Sequence, residues 1–255
     1  MTEVAWSRLT AEALRERAAK GAIVLLPVAS TEQHGPHLAV SVDTVLCGEV
    51  CRRIAETVVK QRPIVVAPTV WMGLAEHHVA FGGTFTLSLA TYHALLRDLC
   101  RSILRAGFKK ILIVNGHGGN MAALAAMTTD LTLELGAPIA TTSYWNSAHE
   151  AGAFAKILET QKGVQHACEA ETSMMLAAAP DLVDRSRLAD AHGPGGGAIG
   201  GAVTAGFSTW RSFKELTPSG VRGDGRKGTA EKGEKLIAAA ADLIAADLIA
   251  GKPWA

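Results

Sequence analysis

A three-layer α/β/α fold with a mostly parallel sheet is predicted by three observations. Apolar stretches of strand length alternate with longer helix-forming ones, the strand-length stretches are apolar without alternation, and the connections between them are short. Continuously apolar strands are what a parallel sheet covered by helices requires, because neither of its faces meets water. With 255 residues, 48% of them hydrophobic, the chain can bury a large core and reads as one domain over 1–255.

The first elements are a helix near Leu9–Lys20, the strand Ala22–Val28, a polar loop, a helix near Thr44–Lys60 and the strand Ile64–Ala67, which is βαβ order. After a second loop around Met72–Thr84 come a helix near Thr91–Gly107, the strand Ile111–Val114, a helix near Met121–Leu135 and the strand Ile139–Ser143. Beyond Ser143 the strand signal fades, while Ala148–Leu158, Glu169–Ala179 and the Ala-rich Thr229–Ile249 read as helices. The glycine-rich run from Gly193 to Gly201 reads as a linker or lid, because no apolar strand leads into it and no lysine follows at phosphate-loop spacing.

Charge narrows the function classes. Lys and Arg total 25 against 24 Asp and Glu, a net +1, and the basic residues are scattered, so the electrostatic footprint of a nucleic-acid binder is missing. A small, roughly neutral molecule is the expected partner. No apolar run approaches the roughly 20 residues that span a bilayer, and the start lacks the basic and then apolar regions of a signal peptide, so a cytoplasmic protein is expected. Cys47, Cys51, Cys100 and Cys168 form no CxxC pair and read as buried free thiols.

Three polar clusters follow apolar strands, and ligands of open α/β sheets gather beyond the carboxyl ends of the strands. They are Ser30–His37 with Asp43, Glu76–Thr84, and Asn115–Asn120. Glu32 and His34, two residues apart in an extended segment, project to one side and can meet the same metal centre, with Asp43 joining by the loop folding back. Carboxylates with imidazoles and no thiolate suit Zn²⁺, Mn²⁺ or Fe²⁺. An Asp bridging two ions about 3.5–4 Å apart makes a two-metal hydrolase in which a shared water becomes hydroxide near neutral pH.

In the third cluster the glycines let the backbone turn around His117 and leave room for a substrate, while Asn115 and Asn120 can fix the loop by side-chain hydrogen bonds. His37, His77, His93, His149 and His192 read singly as surface or core histidines. A fourth cluster gathers His166, Glu169 and Glu171 at a helix start, a concentration of titratable groups that points to function. Trp145, directly after the last strand, is expected at the same sheet end, as a pocket wall or as core.

These motifs in order resemble the creatininase (creatinine amidohydrolase) family from about Leu9 to Ala250. The resemblance rests on Ser-Thr-Glu-Gln-His-Gly-Pro-His at 30–37 with Asp43, His78 with Gly83-Thr84, Asn-Gly-His-Gly-Gly-Asn at 115–120, and His-Ala-Cys-Glu-Ala-Glu-Thr-Ser at 166–173. It implies hydrolysis of a non-peptide C–N bond in a small, often cyclic amide, two divalent ions per subunit and a homo-oligomer, often a hexamer. It also implies that Glu32 and His117 bind one ion and His34 the other, that Asp43 bridges them, and that His166 donates a proton. His78, Gly118 and Gly119 are then expected to meet the substrate.

Creatininase proper carries a Glu where this chain has Gly119, so a replacement ligand is needed. Glu169 is the first choice, three positions from His166 on one helical face. Glu171, about 200° away around a helix, is left to anchor the helix start or to act as a catalytic partner of His166. The Asn-Gly-His-Gly-Gly-Asn form also resembles the family's deformylases and mycofactocin-associated peptidase. A non-catalytic metal or small-molecule binding protein on the same scaffold is the alternative of another class.

Overall fold

The computed structural model describes residues 2–195, 202–204 and 207–254. Four strands, β1 (Ile23–Val28), β2 (Ile64–Val66), β3 (Lys110–Asn115) and β4 (Ile139–Ser143), form one parallel sheet in the order β2-β1-β3-β4. Alternate residues feed two separate cores. Ile23, Leu25, Leu112 and Val114 point to one face, where α2 (Val42–Val58), α6 (Glu169–Ala178) and α8 (Ala230–Ile249) cover them. Val24, Leu26, Ile111 and Ile113 point to the other, under α1 (Ala11–Ala19), α3 (Leu89–Arg105) and α4 (Met121–Leu135). Val24 and Leu25 are both fully buried, which is why the strand is apolar at every position. Each such side chain contributes about 1.5–3 kcal/mol through burial.

Register positions the site. Val28 lies opposite Asn115, and Asn115 opposite Ser143, so three neighbouring strands end level and their loops leave from one edge. The helix expected over Ala148–Leu158 is instead a short helix α5 (Asn146–Glu150) followed by a 3-10 turn at Phe154–Lys156. Gly152, at φ +65°, turns the chain between them into a conformation no helix continues. A two-stranded antiparallel ribbon, β5 (Ala202–Thr204) with β6 (Phe207–Thr209), and a one-turn helix α7 (Phe213–Leu216) precede α8. Residues 196–201 of the glycine-rich run lie outside the described residues, and with them the linker-or-lid reading. Among the described residues no helix is long and apolar enough to cross a membrane.

Candidate metal centre

Beyond the ends of β1 and β3, five buried side chains form a continuous cage. Asp43 is central, in the first turn of α2. Its Oδ1 lies 3.2 Å from His34 Nε2 and its Oδ2 lies 3.1 Å from His117 Nδ1. On the His117 side, Glu32 Oε2 approaches the same Nδ1 at 3.0 Å. On the His34 side, Glu171 Oε1 stands 3.9 Å from Nε2. Glu32, Asp43 and His117 thus offer three donors close enough for one ion, and His34, Asp43 and Glu171 offer three for another.

The chain fits a pair of cations on two counts. Buried Glu32 Oε2, His34 Nε2 and Asp43 Oδ2 have no hydrogen-bond partner despite their close neighbours, a costly arrangement unless a cation satisfies them. The imidazoles are also held in the right tautomers. His34 Nδ1 donates to the Glu32 carbonyl at 3.1 Å, and His117 Nε2 donates to the Leu74 carbonyl at 3.2 Å, so in each ring the lone pair of the other nitrogen points into the cage.

Electrostatics agree. Burial, the largest influence on each group, disfavours every charged form, and it raises the carboxyls of Glu32 and Glu171 above their usual range. It is outweighed at His117, where Glu32 and Asp43 raise the imidazole to about 10, and at His34, raised well above its ordinary value by Asp43 and Glu171. Asp43 stays far below the usual carboxylate range, held by His34 and His117. A cage of three carboxylates that draws protons onto its histidines is one in which cations can take the protons' place.

His78 stands behind this cage and His166 beside it, where it forms a third donor group with Glu32 and His34. Gln33 uses one face of its amide to accept from Gly35 N at 2.9 Å, which fixes its nitrogen toward His78 Nδ1 at 2.8 Å. His78 therefore carries its proton on Nε2, 3.3 Å from Glu32 Oε1. His166 Nε2 lies 2.8 Å from the Gln33 carbonyl and 2.9 Å from Gln33 Nε2, and its Nδ1 lies 3.6 Å from Glu32 Oε1. Phe213 packs 4.4 Å from the His78 ring and 4.8 Å from that of His166, closing this side. Burial lowers the basicity of both histidines well below the ordinary value, so both are neutral near pH 7.

A cavity of about 420 Å³ opens onto Glu32, Asp43, His117, Glu171 and His166, with Gly118 and Trp145 in its walls. Trp145 is half-buried and edge-on to Tyr144 at 4.8 Å, so it both closes the core and lines the cavity. Three sequence-based expectations are corrected. His78, expected to meet the substrate, is fully buried, backs Glu32 and takes no part in the cavity wall. Gly119 does not leave open space. A Cβ there would lie 2.4 Å from both His117 Nε2 and the Leu74 carbonyl, so the missing side chain accommodates the packed second nitrogen of His117. Glu169 is no ligand of this cage. Its carboxylate turns away to Lys232 Nζ, at 2.7 Å, and to the backbone N–H groups of Glu159 and Thr160.

The reason lies in the backbone before α6. Ala167, at φ +51°, reverses the chain between His166 and the helix, so His166 and Glu169 never share a helical face. Glu171 completes the cage instead, while its Oε2 accepts from Ala167 N at 2.5 Å and holds that turn. Gln33 and Phe213 were not picked out by sequence reasoning; Gln33 lay inside the first motif, but nothing marked Phe213. Gly119→Ala is expected to displace the His117 ring, lower stability by about 1–3 kcal/mol and weaken metal uptake together. Thermal unfolding and metal titration of the purified variant check this, and unchanged values in both would show that the site has slack.

Comparison with known proteins gives one direction. Residues 7–248 match the family model Creatininase, described as creatinine amidohydrolase. The mycofactocin precursor peptide peptidase of Mycolicibacterium smegmatis is 32% identical over 222 residues, 85% of this chain and 80% of that protein. Creatinine amidohydrolase of Pseudomonas putida is 29% identical over 251 residues, 92% of this chain and 90% of that one. A crystal structure of creatinine amidohydrolase (creatininase) has a TM-score of 0.85 at 26% identity, with 99% of both chains covered.

Proposed function

The chain belongs to the creatininase family of hydrolases, and from that premise we propose that its cage holds two divalent cations and that the protein hydrolyses a C–N amide bond of a small molecule. The observation that carries this reading is Asp43, whose two carboxylate oxygens face two different sets of donors, Glu32 with His117 and His34 with Glu171. Oxygen and imidazole donors without thiolate suit zinc, manganese or iron. Such ions, when bound, polarise a carbonyl and lower the pKa of water.

The chain's own groups supply the rest. Glu32, His34, Asp43, His117 and Glu171 hold the cations, and Trp145 with Gly118 confines the substrate against them. His166, which lines the cavity beside Glu32, accepts the proton released as water attacks the carbonyl and returns it to the departing nitrogen. His78 steadies Glu32 from behind through Nε2.

Purified protein reconstituted with Zn²⁺ or Mn²⁺ is expected to hold two ions per chain by elemental analysis and to open at least one member of a panel of creatinine, small lactams, hydantoins and formamides. Fewer than one ion per chain after reconstitution would sink the proposal. A second reading, removal of residues from a peptide end, is supported by the likeness to the mycofactocin precursor peptide peptidase. Shortening of peptides in a mass-spectrometric screen, with no lactam opened, would decide for it.

A further inference from the structure

Part of the cavity wall is a loop that the hydrolase reading leaves unused. Lys162, Gly163, Val164 and Gln165 line the cavity. Both ends of their loop are tied. At the start, Glu169 accepts from Glu159 N at 3.0 Å, Thr160 N at 2.8 Å and Thr160 Oγ1 at 2.7 Å. Lys232 joins the same carboxylate to that of Glu159, at 2.7 and 2.6 Å. At the far end, Gln165 N donates to Cys168 Sγ, and His166 pairs through its backbone with Arg222. Between the ties, the Gln161 side chain donates to the Gly163 carbonyl, and the His149 ring packs on Gly163, where an added Cβ would lie 2.7 Å from Nδ1.

This anchored turn presents Lys162 at the cavity rim. It is the sole lysine or arginine among the lining residues, and no carboxylate lies within ion-pair distance of it among the described residues. Glu159 and Glu169, which tie the loop, are engaged by Lys232, and Glu171 belongs to the cage. The turn is held while the Lys162 side chain is exposed at the cavity mouth, and an unpartnered ammonium there has one evident complement, an anion brought by the substrate.

We propose that the loop from Glu159 to Gln165 is the specificity wall of the cavity and that Lys162 receives a carboxylate of the substrate, whose class is then an amide that also carries an acid group. The inference rests on the cavity being the substrate site. Glu169 and Lys232 act as positioning residues, holding the turn so that little ordering remains to be done when substrate binds.

The test compares N-formyl-phenylalanine with N-formyl-phenylalaninamide, which share the formamide and the ring and differ in the acid. Affinities are measured by calorimetry for wild type, Lys162→Met and Lys162→Glu, each metal-free and zinc-loaded. Wild type is expected to bind the acid about tenfold tighter than the amide, a preference that shrinks as salt is raised. It should fall below about threefold in Lys162→Met and reverse in Lys162→Glu, with affinity for the amide unchanged. No preference in wild type, no binding of either probe, or a preference that survives in Lys162→Met would overturn the inference. The Lys162 dependence is expected in the metal-free protein too. A chain that takes up no zinc but shows it loses the hydrolase reading alone, and a zinc-loaded chain without it loses this inference alone.

Discussion

Asp43→Asn is expected to empty both halves of the cage at once. One oxygen of Asp43 serves the His34 side and the other the His117 side, so removing its charge weakens two sets of donors, whereas Glu171→Gln removes one donor from one set. A neutral amide is a far poorer ligand than a carboxylate for such cations. Groups that merely support a ligand cost 10–100-fold in metal affinity or activity when removed, so loss of a shared ligand should lower turnover by at least about a hundredfold. Elemental analysis should find less than one ion per chain in Asp43→Asn and about one in Glu171→Gln, with circular dichroism confirming the fold of both. Two ions retained in Asp43→Asn would refute the shared-carboxylate arrangement.

Glu169→Gln should do the opposite, sparing the metal and damaging the fold. Its fully buried carboxylate serves Lys232, two backbone N–H groups and a hydroxyl, and the amide would leave the Lys232 ammonium only the exposed carboxylate of Glu159. Breaking such a pair on one side costs about 2–4 kcal/mol. In a chain of this size that is a drop in Tm of roughly 5–10 °C. Calorimetry and elemental analysis on the same sample separate the outcomes. A variant with unchanged Tm and one ion missing would return Glu169 to the ligand set.

The contrast between these glutamates marks where sequence reasoning works and where it fails. The α/β/α layering and the four strands were legible because a strand such as Ile23–Val28, buried on both faces, has to be apolar at every position. Glu32, His34, Asp43 and His117 were legible because each sits just past a strand or at a helix start, where the fold leaves little choice of direction. Glu169 and Glu171 were not separable, because their directions depend on one dihedral, the positive φ of Ala167, which the sequence does not announce at an alanine. Gly119 was misread for a related reason. A glycine signals that something comes close, but not whether it is a substrate or, as here, the ring of His117. The wall from Lys162 to Gln165 carries no periodic signal and owes its place to contacts with Lys232, some seventy positions along the chain.

The level ends of β1, β3 and β4 also set the order in which the protein can mature. The cage draws on residues from Glu32 to Glu171, and no two of its donors except Glu32 and His34 are neighbours in the chain. Until β1 and β3 pair in register and α6 docks, an ion meets at most a two-residue fragment of its site, and closing such distant contacts is slow compared with forming helices. If the cage holds cations as proposed, their capture is expected late, sealing a finished sheet, and a cation would not act as a template for the early chain as it does in a zinc finger.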